Sequence, residues 1–227
     1  MTEQSWPNCA QRTAAAIDAE IRGLPVRNTP SVRAVRRKYS RVLKPADPDL
    51  VLAIAKALLD DYGHRGVACE LVANHPMAFH RIGPKEIEGF GRGMASWGAA
   101  DTFARTLAGP AWLAGQLPDA VIHRWARSKD RWWRRGALVS TVALNVRSQG
   151  GLGDAERTLA VCRMLAADSD DMVIKALSWA LRELIPHDPR AVRAFLVEHD
   201  AELAARVKRE VRNKLTTGLK TPGRRRP

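Results

Sequence analysis

The clearest internal match in this chain pairs VIHRWARSKDRWWRR, residues 121–135, with VCRMLAADSDDMVIK, residues 161–175. A shift of 40 residues superimposes four positions of like character: Val121 on Val161, Ala126 on Ala166, Asp130 on Asp170, and Arg135 on Lys175. No stretch of the sequence alternates apolar and polar residues in the manner of a strand. The repeated unit is therefore predicted to be helical.

Helix signals also dominate outside the match. Three dipeptides place a capping side chain directly before a proline, as at many helix starts: Thr29-Pro30, Asp47-Pro48 and Asp188-Pro189. Apolar residues follow at helical spacing, for example Leu50, Ile54 and Leu58 after the second dipeptide. Breaks between helices are predicted at Gly109-Pro110, Gly150-Gly151 and Pro186. These patterns predict an all-α chain.

The period of the match suggests how the helices are arranged. A helix pair that recurs about every 40 residues is typical of HEAT-type solenoids, which stack such pairs into a curved surface. Chance similarity among helices rich in Ala and Arg is the alternative explanation. Since no long linker divides the chain, we predict one domain over residues 1–220 and a disordered basic tail at 221–227.

Charge points to a polyanionic partner. The chain has 37 Lys plus Arg against 24 Asp plus Glu, a formal net charge of +13, and 28 of those cations are Arg. Arg binds phosphate oxygens in a planar fork, although a genome rich in G and C would also raise the ratio of Arg to Lys. No apolar stretch is long enough to cross a bilayer, which argues against a membrane protein. Three scattered cysteines favour a reducing cytoplasm over a disulfide framework.

Most templates for catalysis or metal binding are missing from the sequence. It contains no GxSxG elbow, no glycine-rich phosphate loop, no HExxH and no CxxC pair. His75 and His80 lack a third ligand at zinc spacing and are interpreted as loop or surface histidines. Cys69 and Cys162 lie in apolar helical runs and are interpreted as core residues. We therefore expect neither a metal nor an organic cofactor.

Tryptophan is over-represented among the aromatic residues, with seven Trp against two Tyr and four Phe. Trp97 and Asp101 are four residues apart and share one helix face, and Trp179 shares a face with Arg182. Packing in the core is the simpler explanation for each tryptophan. A carboxylate beside an aromatic ring in a basic chain, however, suits a positively charged target.

Three motifs carry a resemblance to a known family: Ser96-Trp97-xxx-Asp101, Trp132-xx-Arg135-x-Ala137-Leu138, and the run from Ile174 to Glu183, IKALSWALRE. Together with the closing stretch around Asp188-Pro189 and Arg209-Glu210, they resemble the DNA alkylation repair glycosylases of the AlkD type. The resemblance extends from about Gly23 to Lys220 and is strongest after Phe90. An aromatic-rich segment of the family has no clear counterpart near residues 21–29.

The resemblance implies a HEAT-like solenoid with a basic concave face that cradles double-stranded DNA. The family excises cationic alkylated purines, such as 3-methyladenine and 7-methylguanine, and some members remove bulkier adducts. It uses neither a metal nor a cofactor and initiates base excision repair. By this resemblance we expect a monomeric, cytoplasmic and nucleoid-associated protein that does not bind membranes.

The resemblance also implies roles for individual residues. Trp97, Asp101 and Trp179 match the catalytic trio of the family. For contact with DNA the resemblance implies Arg135 and Arg182. The further cations that we expect to bind DNA are Arg134, Lys175 and Arg131.

Three alternatives stay open at the level of sequence. A non-catalytic HEAT-repeat protein that binds distorted or branched DNA would keep the cations but is expected to lose the carboxylate or a tryptophan. A protein-binding scaffold would favour a more mixed or apolar concave face. A self-resistance glycosylase that removes a bulky natural-product adduct would differ only in its substrate.

Overall fold

Every regular element that the computed structural model describes, within residues 6–222, is helical. The helices are α1 Trp6–Arg22, α2 Thr29–Val42, α3 Pro48–Asp60, α4 Arg65–Ala73, α5 Pro76–Arg81, α6 Pro84–Gly91, α7 Trp97–Phe103, α8 Gly109–Leu113, α9 Asp119–Ala126, α10 Arg131–Asn145, α11 Ala155–Met164, α12 Asp171–Leu184, α13 Pro189–Glu198 and α14 Ala205–Thr217. A π turn, Ala104–Ala108, joins α7 to α8, and a 3₁₀ turn, Arg147–Gln149, follows α10. The prediction of an all-α fold is confirmed.

The chain divides after Gly93 into two compact units. The first contains α1 to α6 and the second contains α7 to α14. The single domain predicted over residues 1–220 stays a prediction. Most of the predicted basic tail, residues 223–227, lies outside the described residues. No helix among those described is both long enough and apolar enough to cross a membrane.

In the first unit, α3 packs against both α1 and α4. Its buried face includes Ile54 and Leu58, as the spacing after Asp47-Pro48 predicts, and Asp47 caps the helix by accepting from the N–H of Asp49. Glu70 of α4 accepts from Arg33 at 2.9 Å and from Arg36 at 2.8 Å. Two arginines of α2 are therefore paired with an acid of their own unit.

In the second unit, α10 is the central helix. It packs against α12 and also against α7, the π turn, α8 and α9. Every residue from Arg135 to Asn145 is buried, and the polar members of that run have partners. The Asn145 amide, for example, donates to the hydroxyl of Thr158 at 2.9 Å. A helix buried on all sides is a rigid base for side chains that project from its first turns.

The 40-residue match aligns two equivalent helix starts. Asp130 caps α10 and Asp170 caps α12, and each carboxylate accepts at 2.8 Å from the N–H two residues later. Arg135 and Lys175 are then the fifth residue of their respective helices. The two matched segments therefore occupy equivalent positions in a repeated helix pair.

Two predicted helix boundaries are wrong. Helix α2 is capped by Asn28 rather than Thr29, since the Asn28 side chain accepts from the N–H of Ser31 while the Ser31 hydroxyl accepts in return. Gly109-Pro110 does not interrupt the helix, because the chain stays helical from Trp97 to Leu113. Proline lacks an N–H and crowds the preceding turn, and here the preceding turn is the widened π turn.

His75 lies in the loop between α4 and α5, as predicted, but not at the surface. Its side chain is buried, and Nδ1 accepts from the N–H of Ala78 to cap α5. Imidazole is not among the usual capping groups, so residue preferences do not predict this role. Cys69 and Cys162 are both fully buried, as predicted.

Candidate functional site

Asp101 and Arg135 form a two-pronged ion pair between α7 and α10. Arg135 Nε donates to Asp101 Oδ1 and Nη2 donates to Oδ2, both at 2.7 Å. The third guanidinium nitrogen, Nη1, donates to the carbonyl of Met172 at 2.5 Å. The Arg135 side chain is 7% exposed and that of Asp101 is 18% exposed. Both carboxylate oxygens accept hydrogen bonds, which is the pattern of an ionised group held in one orientation.

Helix α7 is fixed at both ends. The Ser96 hydroxyl caps its first turn by accepting from the N–H of Ala99 at 3.2 Å. At its last residue, Phe103 packs against two tryptophans, with ring centroids 5.6 Å away for Trp125 and 5.8 Å away for Trp133. Aromatic clusters of this kind stabilise beyond the apolar area that they bury. The backbone that carries Asp101 is therefore held on α9 and α10.

Trp97 lies one helical turn before Asp101 and is 61% exposed. Core packing explains other tryptophans of this unit, since Trp112 and Trp125 are at most 3% exposed. It does not explain Trp97. An aromatic side chain left in solvent beside an oriented carboxylate is available to contact a ligand.

Trp179 of α12 is half-buried and is held from two sides. Its indole N–H donates to Glu183 at 2.9 Å. On the ring face, Arg105 Cζ lies 6.0 Å from the ring centroid, at the outer limit of a cation–π contact. Arg105 belongs to the π turn and follows Asp101 by four residues.

Four of the five cations predicted to bind DNA are paired with carboxylates of their own unit. The pairs are Arg131 with Asp170, Arg134 with Asp168, Arg135 with Asp101, and Lys175 with Asp171. Arg134 and Arg135 make additional bonds to backbone carbonyls. The bonds that Arg131, Arg134 and Arg135 make to residues 168–172 join the start of α10 to the start of α12, so these three arginines have a structural function. Lys175 instead pairs with Asp171 one turn earlier in α12. A role in DNA binding stays a prediction for each of the four cations.

Arg182 is the exception among the predicted cations. Its Nε donates to the Ser178 hydroxyl at 3.3 Å, and that hydroxyl donates to the buried Glu210 at 2.6 Å. The terminal nitrogens of Arg182 have no bonded partner within the described residues. Burial lowers the pKa of Arg182, an effect that the charges of Glu210 and Glu183 oppose. A partly dehydrated guanidinium with free nitrogens favours an anion.

Arg105, Glu183 and Glu210 are the residues of this region that the sequence reasoning missed. Arg105 follows Asp101 at the same four-residue spacing that relates Trp97 to Asp101, so helical periodicity offered a signal. Glu183 is likewise four residues from Trp179. Glu210 reaches Ser178 from α14, and no local pattern predicts that contact.

No cluster of three or more His, Cys, Asp or Glu side chains suited to a metal ion occurs among residues 6–222.

A comparison with known protein families supports the resemblance that the sequence motifs indicated. The sequence profile described as DNA alkylation repair enzyme matches residues 7–215. The chain belongs to this family. The match covers most of the chain and confirms the resemblance that the tryptophan motifs indicated. No curated protein and no solved structure matches the chain significantly. Membership implies an enzyme of DNA repair that binds DNA.

Proposed function

We propose that this protein is a monofunctional DNA glycosylase. It hydrolyses the N-glycosidic bond of cationic alkylated purines in double-stranded DNA and so initiates base excision repair. The substrates are 3-methyladenine and 7-methylguanine, together with bulkier N3 or N7 adducts. The observation that supports this most is the oriented Asp101 carboxylate, one turn from the exposed Trp97.

A single carboxylate suits this chemistry. A purine alkylated at N3 or N7 already carries a positive charge and can leave without being protonated, so a general acid is not required. As the bond breaks, positive charge moves onto the deoxyribose. Asp101 stabilises that charge and orients the attacking water. A carboxylate has about four lone-pair sites, and Arg135 takes two, which leaves one on each oxygen.

The other side chains bind and position. Trp97 and Trp179 contact the sugar–phosphate of the lesion nucleotide through their ring faces. Arg182 binds a phosphate with its free terminal nitrogens. For Arg135 we propose a positioning role in place of the phosphate contact that the resemblance implied, because its three nitrogens are bonded to Asp101 and Met172. Arg131, Arg134 and Lys175 contribute positive charge to DNA binding.

The protein acts as a monomer on nucleoid DNA in the cytoplasm. Its net charge of +13 favours association with the polyanionic duplex, and the strength of that association falls with added salt. No metal or organic cofactor enters the proposed reaction.

The decisive experiment measures bases released from methylated duplex DNA, with enzyme in excess over substrate. We expect the wild-type protein to release 3-methyladenine or 7-methylguanine. Asp101→Asn is expected to lower the single-turnover rate by about 100-fold or more, with DNA binding largely retained, because it removes the charge that stabilises the transition state.

The matched control is Asp18→Asn, which neutralises another carboxylate that pairs with an arginine, in the first unit. Its release rate is expected to equal that of the wild type. If wild-type protein binds the methylated duplex but releases no base, the non-catalytic DNA-binding alternative replaces the glycosylase.

A further inference from the structure

Arg105 is a cation without an acidic partner at a site where most cations have one. Its guanidinium lies over the Trp179 ring, and no carboxylate among the described residues pairs with it. The side chain is exposed to solvent. Arg182, three residues after Trp179 in the chain, also has terminal nitrogens without a bonded partner in the described part of the chain.

The π turn determines where Arg105 lies. A π turn inserts one residue into an α-helix, and such insertions occur frequently at functional sites. The insertion changes the direction of the side chains that follow Asp101 and leaves a backbone carbonyl in need of a donor. The Gln149 amide supplies that donor, since its Nε2 donates to the carbonyl of Arg105 at 2.7 Å. The side-chain oxygen of Gln149 is buried and has no partner in the described part of the chain.

The side-chain oxygen of Gln149, which accepts no hydrogen bond, indicates that this residue does more than fill space in the core. A buried amide oxygen without a partner costs free energy, and an apolar residue at this position would avoid that cost. The amide is needed for the hydrogen bond that its N–H donates to the carbonyl of Arg105. The arrangement thus secures the position of one exposed cation over one aromatic ring.

We propose that Arg105 binds a phosphate of the DNA backbone next to the lesion and seats it against Trp179, and that Gln149 is its positioning residue. This inference rests on the proposed glycosylase function. An arginine on an aromatic face keeps its nitrogen edge free, and that edge matches two phosphate oxygens. The contact would hold the lesion nucleotide beside Asp101, four residues from Arg105.

The test combines a binding measurement with a rate measurement. Affinity for an unmodified fluorescent duplex is measured over a range of salt concentrations, and base release is measured on the methylated duplex with enzyme in excess. Arg105→Ala is expected to reduce the slope of log Kd against log salt by about one, the value for one phosphate contact. It is also expected to slow release by about 10-fold, because the lesion is less well positioned.

Two variants separate charge from geometry. Arg105→Lys is expected to keep the salt slope of the wild type but to release base more slowly, because lysine lacks the planar fork. Arg190→Ala removes an exposed arginine at the start of α13 and is the matched control. If Arg105→Ala has the slope and the rate of Arg190→Ala, the inference is overturned.

Failure of the inference and failure of the proposed function give different results. If wild-type protein releases no base but Arg105→Ala still lowers the salt slope, the phosphate contact is supported and the glycosylase is not. If wild-type protein releases base and Arg105→Ala changes neither measurement, only the contact is wrong.

A double-mutant cycle tests the role of Gln149. Gln149→Leu keeps the size of the side chain and removes the donor to Arg105. It is expected to slow release in the wild-type background and to have no further effect in the Arg105→Ala background, since it acts through Arg105. Additive effects of the two substitutions would contradict the positioning role.

Discussion

The proposed chemistry places two requirements on the Asp101 carboxylate, and its pairing with Arg135 meets both. The carboxylate has to stay charged and oriented for the proposed chemistry, and it also has to keep lone pairs free for a ligand. The guanidinium meets the first requirement through two bonds of 2.7 Å. It meets the second because it approaches from the α10 side of α7, which leaves the remaining lone pairs unoccupied among the described residues.

Arg135 is expected to affect stability and rate rather than the electrostatics of DNA binding. Arg135→Ala leaves Asp101 without its partner and the Met172 carbonyl without a donor, so the free energy of unfolding is expected to fall by up to about 3 kcal/mol. The salt slope of binding to unmodified duplex is expected to match that of the wild type. Urea denaturation and the salt titration check the two parts.

Arg135→Lys serves as the companion variant. It keeps the charge but cannot form two parallel bonds with the carboxylate, so the rate of base release is expected to fall while the protein stays folded. If Arg135→Ala lowers the slope of log Kd against log salt by one unit and leaves the free energy of unfolding unchanged, Arg135 binds a phosphate and is not a positioning residue.

The sequence could predict which residues share a helix face, but not how their charges are paired. Trp97 and Asp101 are related by local spacing alone. The partner of Asp101 is 34 residues away, and the partner of Arg134 is as distant. Such pairs depend on how α7, α10 and α12 pack, which no local pattern encodes. The structural role of Arg131, Arg134 and Arg135 therefore cannot be predicted from the sequence alone.

In the helical segment from Trp97 to Leu113, Gly109 has a role that differs from the predicted one. Gly109 is predicted from the sequence to break a helix, but in the structure it is needed because it has no side chain. A Cβ at Gly109 would lie 2.8 Å from the Ser140 carbonyl and 2.9 Å from the Ala143 Cβ. Only glycine allows the segment that carries the π turn to approach α10 this closely.

Gly109→Ala is accordingly expected to lower the free energy of unfolding by about 1–3 kcal/mol, the usual cost of overpacking a core. Gly136 in α10 is the matched control, since a Cβ there has nothing within 4 Å. Gly136→Ala is expected to be neutral or to stabilise by up to about 1 kcal/mol, because alanine favours the helix. Equal effects of the two substitutions in thermal or urea denaturation would contradict the packing argument.

Helix starts were more predictable than helix interiors. Asp47 and Asp188 cap the helices that the proline dipeptides indicated, and Asp130 and Asp170 cap the two that the internal match aligned. A cap depends on bonds within four residues, so its signal is local. A π turn depends on contacts with neighbouring helices, and the sequence of residues 104–108 carries no mark of it.

The net charge of the protein predicts the class of its partner better than it predicts where that partner binds. The family match agrees with the polyanionic partner that +13 indicated. Three cations of α2, however, pair with acids of their own unit: Arg33 and Arg36 with Glu70, and Lys38 with Glu20. The excess of cations over acids determines the sign of the protein's electrostatic field. The cations without an acidic partner determine where a phosphate can bind.

Two buried cysteines allow the predicted single domain to be tested. Cys69 lies in the first unit and Cys162 in the second, and both are fully buried. Burial raises the pKa of Cys69 to about 12 and also raises the pKa of Cys162, so neither forms appreciable thiolate at pH 8 in the folded protein. Each thiol becomes reactive only when its own unit opens.

Pulsed alkylation at increasing urea concentration, read by mass spectrometry of the separate peptides, is expected to give one midpoint for both thiols. A single domain over residues 1–220 unfolds as one cooperative unit, so the two cores are lost together. Cys9, which is partly exposed, is expected to react before the transition and reports that the reagent is active. Two well-separated midpoints would divide the chain near Gly93 into independently folding domains, because a core that survives the loss of the other does not depend on it.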